Sequence, residues 1–393
     1  MKIRVAVMFG GKSVEHEVSV ISGIQAIANM DTEKYEIIPV YISKENEMYI
    51  GENTGNIEAY KAMGQLIKES TRVILVNEEG RCFLTEYPVK RFGKPKKQEI
   101  DVAFPVVHGT NVEDGTLQGY LKTIGVPFVG CDVTASAVGM DKYISKMILK
   151  DNGIPVLDCL YFSVKDYRQG DAMTARIEAE LGYPVIIKPV NLGSSVGISV
   201  AKNREELLLA ADTAFQYANQ VIVEHAILAL REINCSVVGD SMEAEASECE
   251  EPLHTKDILS YEDKYLSGGK GGSKGMASVQ RKIPAELSAE QRERVRSIAV
   301  KAFQCLGCNG VSRIDFMIDE ENGELYLNEI NTIPGSLAFY LWEPLGVSYK
   351  ELLDRLIKLA LKRKRDEENL VFTFSTNILD SASLKGAKGG KLA

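Results

Sequence analysis

Short apolar runs with the spacing of strands alternate with amphipathic stretches through the first third of the chain, at Ile3–Phe9, Glu36–Ile42, Val73–Val76, Asp101–Val107 and Val126–Val129. Such β-α alternation predicts a parallel sheet covered by helices. Residues 132–152 carry Ala135, Val138, Ile144, Met147 and Ile148 at helical spacing and stop at Asp151-Asn152-Gly153, with Pro155 beyond. A helix there opens a second unit. The runs LYFSV, PVIIKPV, GISVAK and VIVEHAI, with helices at MTARIEAELG and Arg204–Tyr217, predict a mixed α/β unit. Beyond Arg231 the runs lengthen, and INCSVVGD, SMEAEASE and SVQRKIP resemble antiparallel strands. A helix at about Ser288–Leu306, the strands GVSRIDFMID and LYLNEIN, and a last helix Ser348–Lys364 follow. That last helix has an apolar stripe at 352, 353, 356, 357, 360 and 361. After it come KRKRDEEN, the strand-like VFTFSTNIL and a tail, SASLKGAKGGKLA, whose composition predicts disorder. No internal repeat is visible.

The 393 residues exceed one ordinary domain of ~100–200 and suit two or three. With 46 basic and 55 acidic residues the net charge is −9, which argues against a general nucleic-acid or anionic-membrane binder. A local basic pocket for a phosphorylated ligand is still allowed. No stretch approaches ~18 uninterrupted apolar residues. The opening MKIRVAVMFGGKS is a short apolar run ending in glycines rather than a signal peptide, so a cytoplasmic location is expected. The seven cysteines are an odd number, spread along the chain and mostly inside apolar runs, and read as reduced core residues. Cys305-x-x-Cys308 lies in a helical run with no second Cys/His pair at zinc spacing.

Three glycine-rich segments could hold phosphate. Gly10-Gly11-Lys12-Ser13 follows a strand, but Ala6 stands where a Walker motif needs glycine. Its backbone N–H groups and Glu15 still fall at a strand's C-terminal edge, where α/β folds bind ligands. An ordinary tight turn explains this segment equally well. Gly193-Ser194-Ser195-Val196-Gly197 follows Ile186-Ile187-Lys188-Pro189, so a buried strand ends in a lysine and leads into a loop rich in N–H and hydroxyl donors. The stretch 267–275 (SGGKGGSKG) reads as a lid. In the C-terminal half, Asp315 follows Ser312-Arg313-Ile314, while Glu329 and Asn331 alternate on another strand. Two adjacent strands would offer three hard oxygen ligands to Mg²⁺. Arg313 beside them could stabilise charge on a reacting carbonyl or phosphoryl oxygen. His108 ends a further strand, and both a structural and a chemical role are open to it. His16, His225 and His254 are scattered and carry no assignment.

The segments HGTNVEDGTLQGYL, TASAVGMDKYISK, PVIIKPVNLGSSVG, YEDKYL, RIDFMID and LNEINTIPG, in this order and spacing, resemble the D-alanine–D-alanine ligase family of the ATP-grasp superfamily from about residue 3 to 365. The resemblance implies a three-domain α/β architecture: an N-terminal domain (1–130), a central ATP-grasp subdomain (131–222), a C-terminal one (223–365), then a strand and tail (366–393). ATP would lie between the central and C-terminal parts, contacted by Lys142, Lys188, Gly193, Ser195 and the segment beginning at Glu224, with Glu232 on ribose and Lys264 near the γ-phosphate. Asp315, Glu329 and Asn331 match the magnesium ligands, with manganese as an alternative ion. Glu15, Ser194 and Tyr265 match the trio that orients the first D-alanine, and His108 would lie near its carboxylate. Arg313 and the Gly335 N–H match the oxyanion site. Where the family commonly has a serine for the acceptor's carboxylate, Tyr340 stands by count, with Ser336 as an alternative donor; Val112 stands where glycine is usual.

The implied activity is ATP-dependent joining of two D-alanines for peptidoglycan precursor synthesis, with D-alanine and ATP as small-molecule partners. The alternative is D-serine or another small amino acid as acceptor. An uncharged Tyr265 offers no repulsion to an ammonium, which favours an amino acid over a hydroxy acid. A homodimer is compatible with the resemblance, and nucleic acid or membrane partners are not expected. A catalytically silent nucleotide binder would have lost Lys188, Asp315, Glu329 or Arg313, and all four are present.

Overall fold

The structure is a computed structural model that describes residues 2–89, 93–169, 171–193, 195–253 and 281–371. The lid 267–275, Ser194, Lys264, Tyr265, His254 and the tail beyond 371 lie outside the described residues. Three sheets organise the rest. The first holds β1 (Ile3–Gly10), β2 (Tyr35–Ile42), β3 (Met48–Ile50), β4 (Thr71–Glu78), β5 (Arg81–Glu86), β6 (Lys97–Ile100) and β7 (Val102–Pro105), in the order β6-β5-β4-β3-β2-β1-β7. The expected parallel pairing joins β1 to β2 and β7. Beyond β2 the sheet continues antiparallel through β3 to β6. Of those added strands, β4 contains the expected run Val73–Val76, whereas β3, β5 and β6 are short or charged, as in Lys97-Gln98-Glu99, and periodicity did not announce them. Phe128 makes only an isolated bridge to Ala103.

The second sheet is antiparallel, ordered β10 (Ser199–Ala201), β9 (Val185–Pro189), β11 (Gln220–His225), β8 (Cys159–Ser163). The third, also antiparallel, is ordered β14 (Arg281–Lys282), β13 (Ala244–Pro252), β12 (Leu230–Gly239), β15 (Gly310–Asp319), β16 (Glu324–Asn331). Period-2 alternation divides its faces. Ile233, Cys235, Val237, Ile314 and Phe316 pack with the helix Ala289–Cys305, whose start is fixed by a Ser288/Gln291 capping box. The opposite face carries Glu232, Asn234, Arg313 and Asp315.

Residues 132–152 form two helices, not one. Asp141 is extended and its side chain caps a new helix at Ile144 N–H, so Val133–Met140 ends and Lys142–Asp151 begins. Cys131, Ala135, Leu149 and Ile154 join the core of the third sheet, while the second sheet keeps its own core around Ile177, Ile187 and Val221. The last helix, Tyr349–Glu368, returns to the first sheet: Leu352, Leu353, Leu356 and Ile357 share a core with Val5, Val7 and Phe104. Asp354 on that helix accepts from Lys34 Nζ at 2.9 Å and Tyr35 OH at 2.8 Å. Arg363 donates to the carbonyls of Phe128 and Gly130, each at 2.6 Å. All seven cysteines are free thiols. Among the described residues no helix is long and apolar enough to cross a membrane.

Trp342 joins the two larger sheets. It is 1% exposed in the first core, and its Nε1–H donates to Ser236 Oγ of β12 at 3.1 Å. Trp342→Ala should lower the unfolding free energy by about 3–5 kcal/mol, the range for emptying a buried aromatic site. Urea denaturation checks this; a loss under 1 kcal/mol would mean that Trp342 does not bear this junction.

Candidate active site

One cleft draws its lining from the second and third sheets and from the segments that follow β1 and β7 of the first. Its floor is set by strand register. Glu250 pairs with Asn234, Asn234 with Asp315, and Asp315 with Glu329, so four polar residues form one row across β13, β12, β15 and β16. Opposed residues of antiparallel strands share a face, and all four line the cleft. Beside the row, Arg313 pairs with Asn331. Arg313 holds Asp315 with both arms, Nε to Oδ1 at 2.6 Å and Nη2 to Oδ2 at 2.7 Å, and the Asn331 amide donates to the same Oδ2 at 3.0 Å. Burial works against the guanidinium's charge, but the Asp315 carboxylate outweighs it and drives the Arg313 pKa well above the ordinary arginine value.

Two carboxylates and one amide oxygen on adjacent strands form the hard donor set that suits a small divalent cation. Among the described residues no group of three or more His, Cys, Asp and Glu has metal-holding geometry. The third donor here is an amide.

Cations line the facing wall. Lys188 ends β9, and its Nζ lies 2.7 Å from Glu224 and 3.1 Å from Asn328 Oδ1. Glu224 does not reach the cleft: its side chain has no exposure and is also 2.6 Å from Lys146. Burial alone would raise the Glu224 pKa; the charges of Lys146 and Lys188 reverse that and hold it at about 2. Lys142 stands one helical turn before Lys146, donates to the Leu192 carbonyl at 2.7 Å and lies 3.3 Å from Glu329. It therefore ties the root of the glycine loop to the floor row. Ile186, Ile198, Leu230 and Met317 add apolar wall near Glu232, which also faces the cleft.

Glu15 crosses from the first sheet to the glycine loop. A Cβ at Gly193 would lie 3.0 Å from Glu15 Oε2, and one at Gly109 would lie 2.8 Å from the same oxygen. Only glycine admits the carboxylate on both sides. Ser195 takes the left-handed conformation, φ 60°. Val112, 2% exposed, packs its side chain against Gly11, which accounts for a bulky residue in the His108 loop.

His108 lines the cleft with both ring nitrogens engaged, Nδ1 to the Ile333 carbonyl at 2.9 Å and Nε2 to Ser22 Oγ at 3.0 Å. Glu113 ties the same loop to the segment just beyond β16: it accepts from Gly109 N–H at 3.0 Å and Ile333 N–H at 2.9 Å. Burial raises the Glu113 pKa to about 8, against the pull of the Gly109 N–H and with the help of the Glu15 charge. Gly335 lines the cleft, at the head of a turn in which Ser336, Leu337 and Ala338 are all left-handed, φ 50–54°. Ser336 and Tyr340 do not line it. Ser336 Oγ donates inward to Gln25 at 2.7 Å, and Tyr340 OH donates to Glu250 at 3.1 Å.

The cleft thus gathers Glu15, His108, Lys142, Lys188, Gly193, Ser195, Glu232, Arg313, Asp315, Glu329, Asn331 and Gly335. Six polar contributors escaped the sequence reading: Glu113, Lys146, Asn234, Glu250, Arg281 and Asn328. Lys146 had a visible signal, one helical turn from Lys142. Glu250 and Arg281 had none, since their place depends on cross-strand pairing.

Antiparallel grasping sheets, a lysine-lined wall and a carboxylate floor beside an α/β unit define an ATP-grasp fold. Models of the D-ala D-ala ligase N-terminus and C-terminus match residues 4–131 and 148–358. A D-alanine–D-alanine ligase of Caldicellulosiruptor bescii is 40% identical over 383 residues, 95% of this chain and 99% of that protein. One of Thermosipho melanesiensis is 37% identical over 96% of this chain and 98% of its own length. Among solved structures, the D-alanine–D-alanine ligase of Coxiella burnetii superposes with TM-score 0.77 at 29% identity, over 93% of this chain and 96% of that one. The VanG D-Ala:D-Ser ligase of Enterococcus faecalis gives 0.76 at 32%, over 92% and 100%. The chain belongs to the D-alanine–D-alanine ligase family.

The engaged His108 has a measurable signature. Burial holds its pKa down at about 4, so the folded protein refuses a proton that the unfolded chain accepts below ~6.5. Its contribution to stability is full above pH 6.5 and drains as pH falls toward 4, with about 2 kcal/mol lost at pH 5. The stability gap between wild type and His108→Gln should narrow by that amount from pH 7.5 to pH 5 in urea unfolding. An unchanged gap would show that His108 titrates like a solvated histidine.

Proposed function

We propose that the cleft joins two D-alanines at the expense of ATP, for peptidoglycan precursor synthesis in the cytoplasm. One observation carries the assignment of roles: Lys142, Lys188, Arg313, Asp315, Glu329 and Asn331, from four separate stretches of sequence, converge on one cavity. A free carboxylate resists attack by an amine. An oxygen of the first D-alanine's carboxylate therefore takes the γ-phosphoryl group, ADP departs, and an acyl phosphate results. The second amino acid's amine then attacks the acyl carbon, and phosphate leaves with its bonding pair.

The adenine suits the apolar wall of Ile186, Leu230 and Met317, with Glu232 toward the ribose and the backbone from Glu224 at its edge. Lys142 and Lys188 face the phosphates, and the loop Gly193–Gly197 with Ser195 covers them, joined by Lys264. Asp315, Glu329 and Asn331 would hold Mg²⁺, which supplies positive charge against the transferring phosphoryl group. Glu15, aided by Ser194 and Tyr265, takes the first ammonium. His108 stays neutral and holds the Ile333 carbonyl, so its part is to fix the wall against which the first carboxylate lies. Arg313 and the Gly335 N–H receive the charge that develops on the acyl oxygen. In this binding mode Arg313 shares Asp315 with the metal.

Glu329→Gln should remove turnover by at least about a thousandfold, because a neutral amide replaces a carboxylate that would hold the divalent metal. The urea midpoint should be nearly unchanged. Near-wild-type turnover in millimolar magnesium would refute the metal assignment.

Substrate identity is tested by phosphate release with D- and L-alanine, then by competition among equal concentrations of D-alanine, D-serine and D-lactate as second substrate at pH 7.5. D-Alanyl-D-alanine is the expected product. Predominant D-alanyl-D-serine would transfer the chain to the alternative acceptor, and predominant D-alanyl-D-lactate would refute an amine acceptor.

A further inference from the structure

Lys146 stands behind the lysine wall rather than in it. It sits on the helix Lys142–Asp151 with its side chain 3% exposed, and it does not line the cleft. Taking an ammonium out of water is costly unless an anion pairs with it. Its anion is Glu224, 2.6 Å away and without exposure. That carboxylate already has a cation, since Lys188 Nζ lies 2.7 Å from it. The fold alone needs only one of the two.

The second sheet sets the order of these charges. Lys188 opposes Ile222, and Glu224 stands two residues further along the same strand, so both project from one face of β9 and β11. Lys188 reaches the cleft, while Glu224 and Lys146 do not. Glu224 and Asn328 Oδ1 engage two of the three N–H groups of Lys188 and fix its direction, which leaves one N–H for a ligand. A Lys188–Glu224 pair by itself would carry no net charge, and an anion in the cleft would meet a cation together with the carboxylate that cancels it. Lys146 changes that balance. Two ammonium groups and one carboxylate sum to +1, and a charge so deep is little screened by water or salt.

Resting on the ATP-binding reading above, we infer that Lys146 is a positioning residue for the nucleotide: it holds the Glu224 charge, so that Glu224 can aim Lys188 without neutralising it toward the phosphates. The carboxylate supplies direction and the hidden lysine supplies its counter-charge. Lys146 thus strengthens phosphate binding without touching phosphate.

Dissociation constants for ATP and for adenosine, each measured with magnesium and without D-alanine, test this, because adenosine lacks the phosphates. Lys146→Met should raise the ATP constant by about tenfold, the loss expected when a charge-assisted contact is weakened. The adenosine constant should stay within about twofold, which also establishes that the variant is folded. Lys146→Gln keeps an amide donor for Glu224 but no charge; it should behave alike, and it replaces Lys146→Met if that variant does not fold. In the double variant Lys146→Met/Glu224→Gln a cation and an anion are lost together and Lys188 keeps its charge. Its ATP constant should return to within about threefold of wild type, a non-additivity that a merely structural lysine would not show. Unchanged ATP affinity in the single variants overturns the inference. So does equal loss with ATP and adenosine, and so does a double variant as weak as the single one. Wild type that binds ATP no more tightly than adenosine would overturn the underlying reading instead, and is recognised without any variant.

Discussion

A slip of β12 by one residue against β15 would turn Asn234 into the core and Cys235 into the cleft, breaking the row that Asn234 forms with Asp315. The whole site therefore depends on register in the third sheet. What holds it is the apolar set on the other face, where Ile233, Cys235, Val237 and Phe316 meet the helix Ala289–Cys305. Hydrophobic burial thus specifies the position of charged groups that it never touches. The row from Glu250 to Glu329 needs no loop to arrange it, and sites built on strands hold their geometry more tightly than sites built on loops.

The opposite wall obeys electrostatics instead. Glu224 is a carboxylate without exposure, lodged between Lys146 and Lys188. Two charges against one leave this buried cluster net positive, in a chain whose overall charge is −9. The excess points at the floor of carboxylates across the cleft. Neither wall is electrically balanced alone, and an anionic ligand carrying a divalent cation would balance both.

Much of this was legible in residue order. Lys188 at the end of an apolar strand, and Glu329 and Asn331 two apart on another, declare their shared face through simple periodicity. The family motifs carried the rest of the expected site. What stayed hidden came from long-range pairing. Glu250 joins Asn234 and Arg281 only because β13 lies between β12 and β14. Glu224 belonged to the expected site for its backbone, yet its side chain does different work, which only burial reveals. Tyr340 and Ser336 carried plausible hydroxyls, but a left-handed turn of three consecutive non-glycine residues redirects the chain there. No local pattern predicts such a turn, since isolated L-residues avoid it by roughly 1–2 kcal/mol each. In the antiparallel half of the first sheet only β4 was anticipated, through Val73–Val76; β3, β5 and β6 were missed because they are short or charged.

The return of the last helix to the first sheet bears on how the molecule is made. A ribosome releases β1 to β7 early, at ~5–20 residues per second, but Leu352, Leu353 and Leu356, which cover that sheet, come some 250 residues after β7. For tens of seconds the nascent first sheet exposes apolar surface that nothing yet synthesised can cover. Its completion waits on the C-terminal helix, so the chain's first unit to appear is among the last to become stable. A chaperone's period of need is thereby written into the topology.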